Sequence, residues 1–148
     1  MIYGIGTDIV EVARIEASIA HFGDDFARRI LADAEFASYE KSPTKARFLS
    51  KRFAAKEAFS KALGTGLRAP ATFQNIAVSH DDLGKPILIF STELQAFMQV
   101  KNIKQTHISI SDEKNLAAAF VVLETWLNNP ILNTQILNAQ ILKEGLVA

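Results

Sequence analysis

Glu57 and Lys61 stand four residues apart in FAAKEAFSKALGTG, Phe53 to Gly66, and a second carboxylate, Asp8, stands in GIGTDIVEV near the start of the chain. A spacing of four places a carboxylate and an ammonium on one side of a helix. With Asp8 beside them, the three side chains have the chemistry of a magnesium–diphosphate site. Magnesium takes one or two carboxylates and fills its shell with water and substrate phosphate, and Lys61, one turn on, would face that phosphate. Taken locally, each part also has a plainer reading. Glu57–Lys61 is then a surface ion pair worth about 0.2–0.5 kcal/mol. Asp8 and Glu11 have capping-box spacing, with Asp8 as the cap of a following helix. Nothing within either stretch shows that the two meet.

The elements that must position these residues follow from periodicity and punctuation. Ile2–Ile9 is an apolar, glycine-containing strand, in which alternation puts Asp8 on the same face as Gly4 and Gly6. Helical spacing follows over Ala13–Phe22, Asp24–Ile30 and Ala34–Lys41. Pro43 then precedes the longest helical signal, Lys45–Leu63, which Gly64 stops. Its core stripe is Ala55, Ala58, Phe59 and Ala62; Glu57 and Lys61 lie nearly opposite, and Lys45, Arg52 and Lys56 form a basic strip on an adjacent side. Phe73–His80 and Ile87–Phe90 make a hairpin across the DDLGKP turn, and Ser91 caps a helix over Thr92–Val100. THISISD and Leu116–Glu124 make a second hairpin across SDEKN. Strand, helices, hairpin, helix, hairpin is an α+β order, not the alternation of a doubly wound sheet.

A length of 148 residues suits one domain, and an apolar content of 49% argues against disorder. The C-terminal stretch ILNTQILNAQILKEG repeats Ile-Leu every five residues. That step spreads the pairs around a helix rather than along one face, so no chemistry is assigned to it. Sixteen basic residues balance sixteen acidic ones, so the basic excess of a nucleic-acid partner is missing. The absence of cysteine excludes disulfides and thiolate metal sites and fits a reducing compartment. The N-terminus lacks a basic region and no run is apolar enough to span a bilayer, so the expectation is a cytoplasmic protein without a membrane partner.

GIGTDIVEVARI, RFAAKEAFSKALGTG, LGKP and HISISDEKNLAAAFVVLE, in this order and spacing, strongly resemble the holo-acyl-carrier-protein synthases, the short bacterial class of 4′-phosphopantetheinyl transferases. The resemblance runs from Met1 to about Glu124. It implies a transferase domain over residues 1–125 and a C-terminal extension of unknown role over 126–148. The implied fold is a small antiparallel sheet packed with helices around one long central helix, assembling as a homotrimer with active sites between subunits. The implied activity is magnesium-dependent transfer of 4′-phosphopantetheine from coenzyme A to a serine of apo-acyl carrier protein, releasing adenosine 3′,5′-bisphosphate, for fatty acid biosynthesis. The alternative is a non-catalytic module that binds coenzyme A or carrier protein on the same fold, against which the intact Asp8, Glu57 and Lys61 set argues.

Carried over by motif, Asp8 and Glu57 resemble the family's metal ligands, and Lys61 its diphosphate contact and possible proton donor to the leaving group. His107 resembles a coenzyme contact that serves a neighbour's site. Lys45, Arg47 and Arg52 resemble the basic group near the coenzyme phosphates. Gly64, Gly66 and the turn at Pro86 resemble walls of the nucleotide pocket. Arg14 resembles a carrier-protein contact; with Arg28 of ARRI it would make a basic docking surface for an acidic carrier, with Phe22 and Phe26 as apolar anchors or, alternatively, as core. His21 reads as surface, His80 as structural, and Asp112 is given no role.

Overall fold

The structure, a computed structural model, describes residues 1–126. Its elements in order are β1 (Ile2–Glu11), α1 (Val12–Phe22), α2 (Asp24–Ile30), α3 (Asp33–Lys41), α4 (Lys45–Leu63), β2 (Ile76–His80), β3 (Pro86–Phe90), α5 (Thr92–Val100), β4 (Ile103–Asp112) and β5 (Leu116–Thr125). The expected α+β order is realised. Both hairpins form, with Ala77 opposite Ile89 in one and His107 opposite Val122 in the other. The Ile-Leu repeat of the C-terminal extension lies outside the described residues.

Two punctuation signals act as read. Gly64 ends α4 in the left-handed region at φ 81°, and its N–H returns to the carbonyls of Ser60 and Lys61. Ser91 accepts from the Leu94 N–H at 3.2 Å and so starts α5. The capping alternative for Asp8 is overturned. β1 continues past it to Glu11 because β5 supplies a partner at every step, Asp8 opposite Ala119 and Glu11 opposite Leu116. Glu11, not Asp8, stands at the head of α1, with no side-chain cap bond.

β5 lies between β1 and β4 in a three-stranded antiparallel sheet. α4 packs on one face of this sheet, and its stripe Ala55, Ala58, Phe59 and Ala62 is fully or almost fully buried there. Gly4 and Gly6 make that contact possible. A Cβ on either would sit 2.0 Å from a helix carbonyl oxygen, that of Ala62 or Ala58 respectively. Only glycine lets β1 and α4 approach this closely. The opposite face of the sheet carries Ile5, Ile9 and Phe120, which stay 59%, 64% and 47% exposed.

Of the basic strip expected on α4, Lys45 stays exposed, but Arg52 and Lys56 are buried. Lys56 is 0% exposed. Its ammonium donates to Glu35 Oε2 at 2.6 Å, to the Ile30 carbonyl at 2.7 Å and to the Phe73 carbonyl at 2.9 Å. Arg52 is buried too, its Nε 3.2 Å from Glu35 Oε1. Burial pulls the Lys56 ammonium below the usual lysine range, and the Glu35 charge opposes that pull. The helical wheel placed both residues beside the exposed side correctly; α3, together with the end of α2 and the Phe73 segment, covers them.

Candidate active site

Side chains on a helix tilt toward its N-terminus. The long stem of Lys61 therefore runs back along α4 to the level of Glu57, and there it meets β1. Its ammonium donates to Asp8 Oδ1 at 2.8 Å and to the Thr7 carbonyl at 2.9 Å. Asp8 points into the sheet–helix layer, on the same face as Gly4 and Gly6, while the Lys61 side chain is half exposed at the rim. Glu57 lies within electrostatic reach of both. Burial, and then the Asp8 charge, raises its carboxyl above the usual range, and Lys61 opposes them. The sheet and helix thus bring together the three residues singled out by type and spacing.

Asp8 Oδ2 is buried and has no hydrogen-bond partner. A buried orphan carboxylate oxygen is costly, and here it stands beside a second carboxylate whose proton affinity its charge has raised. That donor set suits a hard divalent cation. Among the described residues no group of three or more acidic or histidine side chains is assembled. A cation held by Asp8 and Glu57 would therefore complete its shell with water and substrate oxygens, as magnesium does.

Other expected site residues fall in different places. Gly64 and Gly66 lie just beyond Lys61, in the turn that leaves α4. Pro86 opens β3 opposite His80. His107 is exposed on the far face of the sheet from Asp8, with Nε2 2.8 Å from Glu124 Oε2. Lys45 and Arg47 line a cleft of about 590 Å³ between α1 and the start of α4, with Glu16, Ile19 and Lys114. By helix rise, Arg47 is about 21 Å from Lys61 along the axis, so the site at Asp8 in one chain is built without Lys45 or Arg47. Arg52, expected at the coenzyme phosphates, is turned inward and held by Glu35. Arg47 and Lys51 face Asp112 at 3.6 and 3.5 Å, which gives Asp112 a partner in the fold.

On the docking side, Arg14 and Arg28 are exposed, as is Phe22. Phe26 packs against the core, the alternative weighed for it. The Arg28 guanidinium lies over the Phe36 ring, 4.0 Å from its centroid. Two contributors escaped sequence reasoning: the Thr7 carbonyl, a backbone group with no residue-type signature, and Glu35. The only local sign of Glu35 is its place in the first turn of α3, where it accepts from the Ala32 N–H at 2.8 Å.

Residues 4–121 match the model of the 4′-phosphopantetheinyl transferase superfamily. The chain is 56% identical over 124 residues to the holo-[acyl-carrier-protein] synthase of Nitrosomonas europaea, covering 84% of this chain and 99% of that one. Among solved structures it is similar to holo-[acyl-carrier-protein] synthase from Neisseria meningitidis, with a TM-score of 0.82, 45% identity, and coverage of 84% and 100%. It is also similar to the Bacillus anthracis enzyme in complex with CoA (3′,5′-ADP), with a TM-score of 0.71, 44% identity, and coverage of 85% and 99%. The matched residues 4–121 include Asp8, Glu57 and Lys61, and the chain belongs to the holo-[acyl-carrier-protein] synthase family of the 4′-phosphopantetheinyl transferase superfamily.

Proposed function

We propose that this protein transfers 4′-phosphopantetheine from coenzyme A to a serine of apo-acyl carrier protein, in the cytoplasm and for fatty acid biosynthesis. The observation that carries the reading is the convergence of Asp8, Glu57 and Lys61, with one Asp8 oxygen left for a cation. In the transfer, the serine oxygen forms a bond to the phosphorus of the phosphopantetheine end. The bond from that phosphorus to the bridging oxygen breaks, and adenosine 3′,5′-bisphosphate leaves with the electron pair. The serine proton passes to an acceptor in the pocket. Phosphoryl-type transfer asks the protein mainly for positioning and charge stabilisation. Asp8 and Glu57 would hold magnesium, which when bound supplies charge neutralisation across the diphosphate oxygens. Lys61, half exposed and carried on a rigid helix, offers its ammonium to the charge that develops on the departing phosphate.

The same reading makes the protein a homotrimer. Ile5, Ile9 and Phe120 form an apolar patch on the open face of the sheet, of the kind a subunit contact covers. His107 shares that face, so it would meet coenzyme bound to a neighbour's Asp8 site. Lys45 and Arg47 likewise would reach a coenzyme phosphate only from another subunit. Arg14, Arg28 and Phe22 offer an exposed basic and apolar surface to an acidic carrier. No helix among the described residues is long and apolar enough to cross a membrane.

The test is to incubate the protein with coenzyme A, magnesium and apo-carrier protein and weigh the carrier by mass spectrometry. The expected product carries one added phosphopantetheine group. No addition with several carriers, in both magnesium and manganese, would overturn the reading in favour of a binding module.

A further inference from the structure

α2 is seven residues long and ends in two exposed arginines, Arg28 and Arg29, before buried Ile30. A helix this short has little stability of its own, so the groups that hold its end decide where those arginines stand. Its last carbonyls are met by side chains from elsewhere. Gln74 Nε2 donates to the Arg29 carbonyl at 2.7 Å and, more weakly, to that of Arg28 at 3.4 Å. Lys56 donates to the Ile30 carbonyl at 2.7 Å, to the Phe73 carbonyl and to Glu35. All three protons of the Lys56 ammonium are thereby used. Glu35 in turn accepts from the Ala32 and Val78 N–H groups, at 2.8 and 2.9 Å. The next residue in α3, Phe36, lies against the Arg28 guanidinium. One connected set of contacts thus runs from α4, through Glu35 and α3, to the side chain of Arg28.

We infer that Lys56 and Gln74 are positioning residues for the carrier protein, fixing the C-terminal end of α2, and with it Arg28, against α4 and the segment that leads into β2. The inference rests on the proposed transfer to a carrier. Lys56 adjoins Glu57 in sequence but its ammonium is directed at α2, α3 and the Phe73 segment, so it touches neither the cation site nor Lys61. A buried ion pair contributes little net stability compared with apolar residues of the same volume. An apolar residue at 56 would fill the space yet leave the Ile30 and Phe73 carbonyls without their donor. Placement of the basic corner at a set separation from the Asp8 site is what the charged residue adds.

Steady-state transfer, with coenzyme A and apo-carrier varied separately, tests this. The wild-type arm decides the proposed function itself: no transfer there overturns both readings together. Given wild-type transfer, Gln74→Ala, a change at an exposed side chain, should raise the carrier KM about three-fold or more. Its kcat and coenzyme KM should stay at wild-type values. Gln74→Lys, which restores a donor, should bring the carrier KM back toward wild type. Lys56→Met leaves Glu35 paired with Arg52 and should raise the carrier KM about ten-fold or more, given the three bonds removed. If Lys56→Met does not fold, the Gln74 pair decides. An unchanged carrier KM in Gln74→Ala, or a coenzyme KM rising in step with it, overturns the inference.

Discussion

Lys61 Nζ and Asp8 Oδ1 are 2.8 Å apart across 53 residues of sequence, while the second Asp8 oxygen is buried without a partner. The pair lies at the rim, where the Lys61 side chain is 51% exposed. Removing Asp8 should therefore cost the fold no more than about 1 kcal/mol. It should nonetheless abolish transfer, by at least about 100-fold, as should Glu57→Ala. Both variants should remain folded by circular dichroism and bind manganese more weakly by electron paramagnetic resonance. Near-normal transfer by either at low magnesium would count against the assignment of these two carboxylates as ligands.

Lys61 should separate binding from chemistry. Lys61→Met frees Asp8 from its ion pair, so manganese should bind at least as tightly as to wild type. Transfer should still fall about 10²–10³-fold, the cost of losing one positioned charge at a developing oxyanion. A parallel loss of metal affinity and rate would show instead that Lys61 serves only to hold Asp8.

His107 and Asp8 stand on opposite faces of one sheet. If the site is shared between subunits, Asp8→Ala and His107→Ala proteins, each impaired alone, should regain activity when unfolded together and co-refolded, because some sites then receive both native residues. Phe120→Glu should block that recovery and shift the mass by light scattering toward the monomer. Activity that stays at the sum of the separate variants would place His107 outside the neighbour's site.

The contact of β1 with α4 admits no side chain at residue 6, where a Cβ would lie 2.0 Å from the Ala58 carbonyl oxygen. Gly6→Ala should cost about 1–3 kcal/mol through overpacking, read as a lower urea midpoint. A midpoint equal to wild type would mean that strand and helix separate without penalty.

His80 supplies a pH signature. Burial, followed by the Arg52 and Lys51 charges, pushes its imidazole below 6.5, and Asp81 only partly opposes them. The folded state thus favours neutral His80, and the unfolded chain takes up a proton first as pH falls. This contribution to stability is present in full above 6.5 and is lost as pH drops from there through the lower, folded value. The wild-type urea midpoint should fall between pH 7.5 and 5.5 by more than that of His80→Asn. Equal falls would remove His80 as the source.

What the chain could reveal by itself was local. Alternation, helical spacing and the signals at Gly64 and Ser91 depend on neighbours within a few residues. They placed α2, α4 and α5 at their observed bounds, both hairpins in their observed pairing, and Glu57 with Lys61 on one side of a helix. The two specific motifs supplied the family. Tertiary structure decided what depends on partners far along the chain. It ran β1 on to Glu11, because β5, more than a hundred residues later, continues the ladder, and this turned Asp8 from a possible helix cap into a residue facing α4. It put Gly4 and Gly6 under α4, and so brought Asp8 to Lys61. It also converted Lys56 and Arg52 from an apparent basic strip into the buried partners of Glu35. A charged residue reads the same in sequence whether water or a carboxylate solvates it. Only the fold, by covering Arg52 and Lys56 with α3, the end of α2 and the Phe73 segment, determined which.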